Sequence, residues 1–143
     1  MTTVQANDAV QAGARFIVSP ICDHEVIAEA HALDVPAIPG TVTPGEMMRA
    51  HRGGADFVKL FPGPPATADY VRSVLGPLPF LRIFPTSGID EDNYLDVLRA
   101  GAVGVGFVRP LFKPDDLARR DFKAIRDRAA SILERCADAF PST

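Results

Sequence analysis

Lys59 is the residue of this sequence whose setting most favours covalent chemistry, because it lies inside the apolar stretch 56–62, DFVKLFP. Side chains of a strand alternate between its faces, so Phe57, Lys59 and Phe61 share one face. An ammonium held beside two rings loses hydration, which lowers its pKa and favours the neutral amine that forms a Schiff base with a carbonyl. The alternative is a surface lysine whose stem packs on the rings while its ammonium reaches water.

The stretch belongs to a series of short strands that alternate with helices. Such alternation is typical of consecutive βα units with a parallel sheet, and therefore predicts the α/β class. Helix starts are marked by Asp23, by Thr43 with Glu46 as a capping box, by Thr67 and by Asp90. We predict strands at 15–20, 35–40, 56–62, 81–86 and 103–108, and helices at 5–12, 23–33, 43–52, 67–75, 91–100 and from 122 to the end of the chain.

The final predicted helix carries apolar residues at helical spacing, which indicates a face packed in the core. A groove for a partner is the alternative that we set aside. The stripe consists of Phe122, Ile125, Ala129, Ile132, Leu133 and Cys136.

One junction between a helix and a strand occurs three times in the sequence. Gly13, Gly54 and Gly101 are each followed by Ala and then by a predicted strand. Repeated βα units are what a (β/α)8 TIM barrel requires. Only five units are countable, whereas a closed barrel takes roughly 200 residues or more. We therefore expect residues 1–143 to be a single domain that forms a partial (β/α)8 barrel.

Composition narrows the classes of function. Of 143 residues, 47% are hydrophobic and 23% are charged, and the net charge of -3 gives no basic surface for nucleic acid or for a membrane. The chain has no run of about 18 apolar residues and no signal-peptide pattern at its start. We expect a cytoplasmic protein that binds a small molecule.

Two short sequence patterns argue against a metal site and a dinucleotide-binding site. Cys22 and Cys136 lie far apart without metal-ligand spacing, which argues against a metal site and fits a reducing compartment. Gly104 and Gly106 form only GxG, without the third glycine or the following acidic residue of a dinucleotide fingerprint. We therefore expect no metal and no cofactor.

In parallel α/β folds ligands bind at the carboxyl ends of the strands. Thr86, Ser87 and Gly88 follow the fourth predicted strand, where hydroxyls and backbone N–H groups can bind a phosphate. Arg109 ends the next strand, and its guanidinium can close the same pocket. A plain turn at 86–88 and a surface ion pair of Arg109 are the alternatives.

Taken together, these motifs resemble the class I aldolases that cleave 2-keto-3-deoxy-6-phosphogluconate (KDPG) and 4-hydroxy-2-oxoglutarate (KHG). The resemblance runs from about Thr2 to Leu133 without large gaps. It rests on FVKLFP at 57–62, on Ser19 and Pro20, on PAIPG at 36–40, on FPTSGI at 84–89, and on Asn93 and Tyr94.

The resemblance implies that Lys59 forms a carbinolamine and then an iminium with the C2 ketone of pyruvate or of a keto-acid substrate. The iminium would serve as the electron sink for C–C cleavage. The resemblance implies no cofactor. It does imply a homo-oligomer, which is a trimer in the resembled family. The implied substrate contacts are Phe61, with Thr86, Ser87 and Gly88 at a carboxylate or phosphate end, and Pro20 and Pro39 in the pocket wall.

Two features depart from the family. Its general acid/base glutamate, followed by an arginine, belongs to an early strand that precedes the matched part, and neither Glu25 nor Glu46 fits that motif. Loss of such a group costs about 10²- to 10⁴-fold in rate. Where the family has a Gly-Ser phosphate loop, this chain has Val108 and Arg109, so the phosphate either binds Arg109 or is absent from the substrate.

The expectation is thus an N-terminally truncated aldolase barrel. Open strand edges near Arg15 and Val103 favour association with a second copy or with an N-terminal fragment. One rival is a barrel remnant that binds pyruvate or keto acids without efficient turnover. A second is a phosphate-binding isomerase or epimerase, which would need an acid/base pair at strand ends that the sequence does not display.

Overall fold

A computed structural model describes residues 2–141 of the chain, which fold as an α/β protein with parallel sheets. The elements, in chain order, are α1 (Thr3–Gln11), β1 (Ile17–Val18), α2 (His24–Ala32), β2 (Ala37–Ile38), β3 (Gly40–Thr41), α3 (Pro44–Arg52), β4 (Val58–Leu60), α4 (Thr67–Leu75), β5 (Ile83–Pro85), α5 (Tyr94–Arg99), α6 (Pro114–Ala118) and α7 (Phe122–Ala139). None of the helices within this part of the chain is long and apolar enough to cross a membrane.

The strands pair in parallel, as their alternation with helices predicts. β1 pairs with β2, and β3, β4 and β5 form a second sheet in sequence order. The predicted strand 35–40 is divided into β2 and β3 at Pro39, whose ring nitrogen carries no hydrogen to donate. The Asp56 N–H nevertheless donates to the Ala37 carbonyl, and the Lys59 N–H donates to the Pro39 carbonyl. The stretch that carries β2 and β3 therefore runs alongside the lysine strand.

The fifth predicted strand, 103–108, is not formed. This stretch bonds to β5 only through the Val103 N–H on the Ile83 carbonyl and the Gly106 N–H on the Pro85 carbonyl. Two physical causes act together. Glycines at 104 and 106 leave the backbone free, and within residues 2–141 no further strand pairs with its other edge.

The glycines at 104 and 106 are required by close packing against β5 and the residue after it. A Cβ added at Gly104 would lie 2.8 Å from the Phe84 ring, and one at Gly106 would lie 2.9 Å from Thr86 Cγ2. The two glycines of the GxG pattern therefore leave the space that the side chains of Phe84 and Thr86 occupy.

Of the four helix starts that capping residues mark in the sequence, two agree with the structure and two do not. Asp23 caps α2, and Thr43 and Glu46 form the predicted capping box of α3. The helix predicted from Glu91 begins only at Tyr94, because the Asp90 carboxylate accepts the N–H groups of Asp92 and Asn93 and folds them into a turn. Thr67 does not cap α4.

Thr67 is instead the first residue of α4, and its hydroxyl donates to the Pro64 carbonyl. The first helix also begins earlier than predicted, at Thr3, because Thr2 and Gln5 form a capping box.

The core lies between the sheets and the helices, but α7 contributes less to it than its apolar stripe predicts. Ile132 is buried, and its carbonyl accepts the hydroxyl of Tyr94. Phe122 and Leu133 are 66% and 69% exposed. The expectation of a fully packed stripe is wrong for these two residues, because no element within residues 2–141 covers their side of the helix.

Asp56 joins α2 to the sheet at the amino end of β4. Its Oδ2 accepts the Ala37 N–H at 2.8 Å and lies 3.0 Å from His31 Nε2. Burial raises the pKa of Asp56, but these hydrogen bonds and the nearby imidazole outweigh burial and hold the pKa below its usual value. The folded chain therefore stabilises the carboxylate form of Asp56.

This shift predicts a pH-dependent contribution to stability. The contribution is complete above the unfolded pKa of about 3.9 and disappears as pH falls through the lower folded pKa. Asp56→Asn should thus lower the free energy of unfolding at pH 6 and have a smaller effect near pH 3, measured by urea unfolding. Asp8→Asn, on the exposed side of α1, is the control, and an equal Asp56→Asn effect at both pH values would contradict the assignment.

The packing at Gly106 predicts an effect of adding one methyl group. Gly106→Ala should lower the free energy of unfolding by about 1–3 kcal/mol, because the new Cβ displaces Thr86. Gly76→Ala is the matched control, since its Cβ would meet no atom closer than 3.7 Å. Chemical denaturation of both variants tests this, and equal stability of the two would show that Thr86 is not held by this contact.

Candidate active site

Lys59 lies in the middle of β4 with the alternation that its sequence predicts. Val58 and Leu60 are 2% and 0% exposed on the face that packs in the core, whereas Lys59 lies half-buried on the opposite face. Its Nζ is 4.6 Å from the centre of the Phe61 ring. Burial lowers the pKa of the Lys59 ammonium, and no charged neighbour opposes this effect. The site therefore favours the neutral, nucleophilic amine.

Phe57, the other aromatic residue predicted on this face, has a different partner. The Arg82 guanidinium lies 4.0 Å from the centre of the Phe57 ring. Phe61 is thus the ring that contacts the Lys59 ammonium, while Phe57 packs against a second cation at the amino end of β4.

The strand beside Lys59 brings Pro20 to the site. Gly40 is paired with Lys59 in the parallel register, and a Cβ at Gly40 would lie 2.1 Å from the Pro20 carbonyl oxygen. Only glycine permits this approach, so Gly40 places Pro20 against the strand ends. Pro39, also predicted in the pocket wall, is fully buried and accepts the Lys59 N–H through its carbonyl.

Two cavities open at the carboxyl ends of the strands, and both are lined by Phe61. The first, of about 490 Å³, is lined by Pro20, Ile21, Cys22, Gly40, Thr41, Val42, Glu46, Arg49, Phe61 and Pro62. The second, of about 360 Å³, is lined by Phe61, Thr86, Ser87, Gly88, Ile89, Asp90, Val108, Arg109 and Pro110. Phe61, the ring beside the Lys59 amine, is thus shared by the two cavities, whereas neither Lys59 itself nor Pro39 is among their lining residues.

The second cavity gathers the predicted anion-binding residues. Thr86, Ser87, Gly88 and Arg109 all line it. Thr86 Oγ1 is buried without a hydrogen-bond partner, and within residues 2–141 the N–H groups of Ser87 and Gly88 have no acceptor. These donors can bind an anionic or hydroxylated group of a ligand.

The segment that follows Arg109 is bonded to α7 by Arg128, whose role was not predicted. Arg128 on α7 donates to the Leu111 carbonyl at 2.6 Å and to Asp116 Oδ2 at 2.7 Å. This contact fixes the segment that follows Arg109. Asp116 is buried and bonded to both Arg128 and Arg119.

The sequence does contain a signal for Arg128, which lies three residues after Ile125 and four before Ile132. This spacing places it on the side of α7 that faces the protein. A charged residue on such a face needs a buried partner, and Asp116 supplies it.

Acidic groups are absent from the immediate surroundings of the amine. Within residues 2–141 no carboxylate lies within ion-pair distance of Lys59. Glu46 lines the first cavity, but its Oε2 accepts the N–H groups of Val42 and Thr43, which lower its pKa and weaken it as a base. The described residues also contain no group of three His, Cys, Asp or Glu side chains that is able to hold a metal ion.

Comparison with known proteins places the chain in a family. The family described as "KDPG and KHG aldolase" matches residues 1–127. The 2-dehydro-3-deoxy-phosphogluconate aldolase of Pseudomonas aeruginosa is 34% identical over 91% of this chain and 60% of that protein. The KHG/KDPG aldolase of Escherichia coli K12 is 31% identical over 91% of this chain and 62% of that protein. The chain thus spans about three fifths of the length of these relatives.

Solved structures agree on the fold. A KDPG aldolase from Legionella pneumophila, with pyruvate captured as a covalent carbinolamine, superposes with a TM-score of 0.82 at 26% identity over 92% of this chain and 65% of that chain. A native KDPGal structure gives a TM-score of 0.87 at 23% identity over 97% and 66%. The lysine strand, the strand-end cavities and these matches agree, and the chain belongs to the KDPG and KHG aldolase family.

Proposed function

We propose that this chain acts as a class I aldolase, an aldehyde-lyase that cleaves a 2-keto-3-deoxy sugar acid or 4-hydroxy-2-oxoglutarate to pyruvate and an aldehyde. The observation that carries the proposal is the half-buried Lys59 amine, whose pKa is lowered by burial and which lies against Phe61, a residue that lines two strand-end cavities. The covalent carbinolamine in the Legionella relative supports the same chemistry at a lysine.

The chemistry follows from a neutral amine. Lys59 Nζ adds to the C2 carbonyl to give a carbinolamine, which loses water to become an iminium. The C3–C4 bond then breaks, its electron pair moves towards the iminium nitrogen to form an enamine, and the C4 hydroxyl loses its proton as the aldehyde leaves. Protonation at C3 and addition of water release pyruvate and restore the amine.

The step that the described residues supply least well is proton transfer from the C4 hydroxyl. No carboxylate accompanies Lys59, and Glu46 is engaged as a helix cap. This favours, as the second candidate, a remnant that forms the iminium without efficient turnover. Schiff-base formation with retro-aldol cleavage at the rate of full-length relatives would exclude that candidate.

The far end of the substrate would lie in the second cavity. Thr86 Oγ1, the free N–H groups at 87 and 88, and Arg109 supply donors for a carboxylate or a phosphate. Phe61 would pack on the substrate between the two cavities, and Pro20 would close the first cavity.

The architecture that we propose is a partial (β/α)8 barrel, a single domain that associates with a second copy or with a complementary N-terminal fragment in the cytoplasm. Phe16, just before β1, and Val103, which bonds to β5, are about half exposed, and Val18 on β1 is more than a third exposed. These unpaired edges resemble surfaces that proteins normally cover. Cys22 and Cys136 are not bonded to each other, which suits a reducing compartment.

Reduction of the Schiff base tests the catalytic proposal. The chain incubated with pyruvate and sodium borohydride should gain one reduced pyruvate adduct at Lys59, located by peptide mass spectrometry. Lys59→Met should abolish the adduct, while Lys123→Met, a change at an exposed lysine of α7, should leave it unchanged. An unmodified Lys59 at neutral pH, or an adduct on Lys123, would refute the role of Lys59.

The open edges predict self-association. Light scattering should give a particle larger than one chain, because β1 and the adjoining apolar residues need a cover. Val18→Lys should shift the population towards monomers, since a charge on the edge opposes strand pairing. Val4→Lys, at an exposed position of α1, is the control, and a stable monomeric wild type would contradict the proposal.

A further inference from the structure

The backbone of Val42, the residue that follows β3, is held by side chains from two different helices. Its N–H donates to Glu46 Oε2 on α3 at 2.8 Å, and its carbonyl accepts the hydroxyl of Tyr70 on α4. Tyr70 has no assigned part in the reaction. We call these two contacts the Val42 clamp, and together they fix the chain at the carboxyl end of β3.

Tyr70 is suited to this contact because its ring is anchored while its hydroxyl is able to donate. The ring packs against the larger hydrophobic cluster of the core. Burial, and to a lesser extent the charge of Glu46, raises the pKa of the Tyr70 hydroxyl. The hydroxyl therefore keeps its proton at neutral pH and donates it to the Val42 carbonyl.

Thr41, the residue before Val42, connects the clamp to the lysine strand. Its carbonyl accepts the Phe61 N–H at 3.0 Å, and its hydroxyl donates to the Lys59 carbonyl at 3.0 Å. Thr41 is 2% exposed, so water does not compete for these hydrogen bonds. A displacement of Val42 is therefore transmitted through Thr41 to the backbone of β4 on both sides of the amine.

The Lys59 amine is sensitive to such a displacement. Within residues 2–141 burial is the one cause that lowers the pKa of Lys59, and no charged side chain contributes. Its Nζ lies 4.6 Å from the centre of the Phe61 ring. If the Phe61 backbone moves, water reaches the amine, its pKa rises, and a smaller fraction of it is neutral at pH 7.

We propose that Tyr70 is a positioning residue for Lys59, which it influences through the Val42 clamp. Its hydroxyl fixes Val42, Thr41 carries this constraint to β4, and Phe61 thereby stays against the amine. The proposal rests on the Schiff-base function of Lys59 and adds a residue that supports it from outside the site. Tyr70 lines neither strand-end cavity, so it acts on the amine and not through contact with a ligand.

The two tyrosines of the chain provide a matched pair of variants. Each donates its hydroxyl to a backbone carbonyl of a distant element, Tyr70 to Val42 and Tyr94 to a carbonyl of α7. The pKa of Lys59 is measured by competitive acetylation against Lys123. Tyr70→Phe should raise this pKa and reduce the neutral fraction at pH 7 by up to about tenfold, the factor that one hydrogen bond supplies. Tyr94→Phe should leave it unchanged.

Borohydride trapping with pyruvate reports the same change as a rate. Tyr70→Phe should slow trapping at pH 7 by up to about tenfold and should approach the wild-type rate at a pH above both pKa values of Lys59. A general loss of structure would instead lower the rate at every pH. Thr41→Val, which removes the hydroxyl bonded to the Lys59 carbonyl, should act similarly. The effects of the two changes should be less than additive, because both interrupt one path.

Three results would overturn the role of Tyr70. They are an unchanged pKa of Lys59 in both Tyr70→Phe and Thr41→Val, an equal rise in Tyr94→Phe, and a loss of trapping that is the same at every pH. Each would leave the Schiff-base function intact if the wild type forms the adduct. A wild type without an adduct, in which Tyr70→Phe still raises the pKa of Lys59, would refute the function and support the positioning role. Circular dichroism confirms that each variant is folded.

Discussion

The site depends on the partial removal of the Lys59 ammonium from water. β4 achieves this through its two faces: Val58 and Leu60 fix the strand in the core, and the alternation then directs Lys59 to the face that carries Phe61. No acidic side chain compensates the loss of hydration, so the pKa of Lys59 falls. A lysine one position earlier or later would point into the apolar core, where a charge is far more costly.

The strands beside β4 position the other residues at the carboxyl ends of the strands. Gly40, paired with Lys59, lets Pro20 lie against the strand, while Gly106 lets Thr86 pack beside β5. Phe61 lines both cavities at these strand ends.

Many local features of this fold were predictable from sequence, whereas several contacts between distant elements were not. Strand alternation around Lys59 and the capping box at Thr43 depend on neighbours within a few residues, and both are confirmed. The salt bridge between Arg128 and Asp116 depends on how α6 meets α7.

The exposure of Phe122 and the loss of a strand at 103–108 depend on which elements lie beside them. Helical spacing and β propensity are properties of one segment, so they do not show whether another helix or strand packs beside it. The most direct test of the account is the pKa of the Lys59 amine, measured by competitive acetylation against Lys123 over a range of pH. The account predicts a pKa for Lys59 clearly below that of Lys123, and an equal or higher pKa would contradict it.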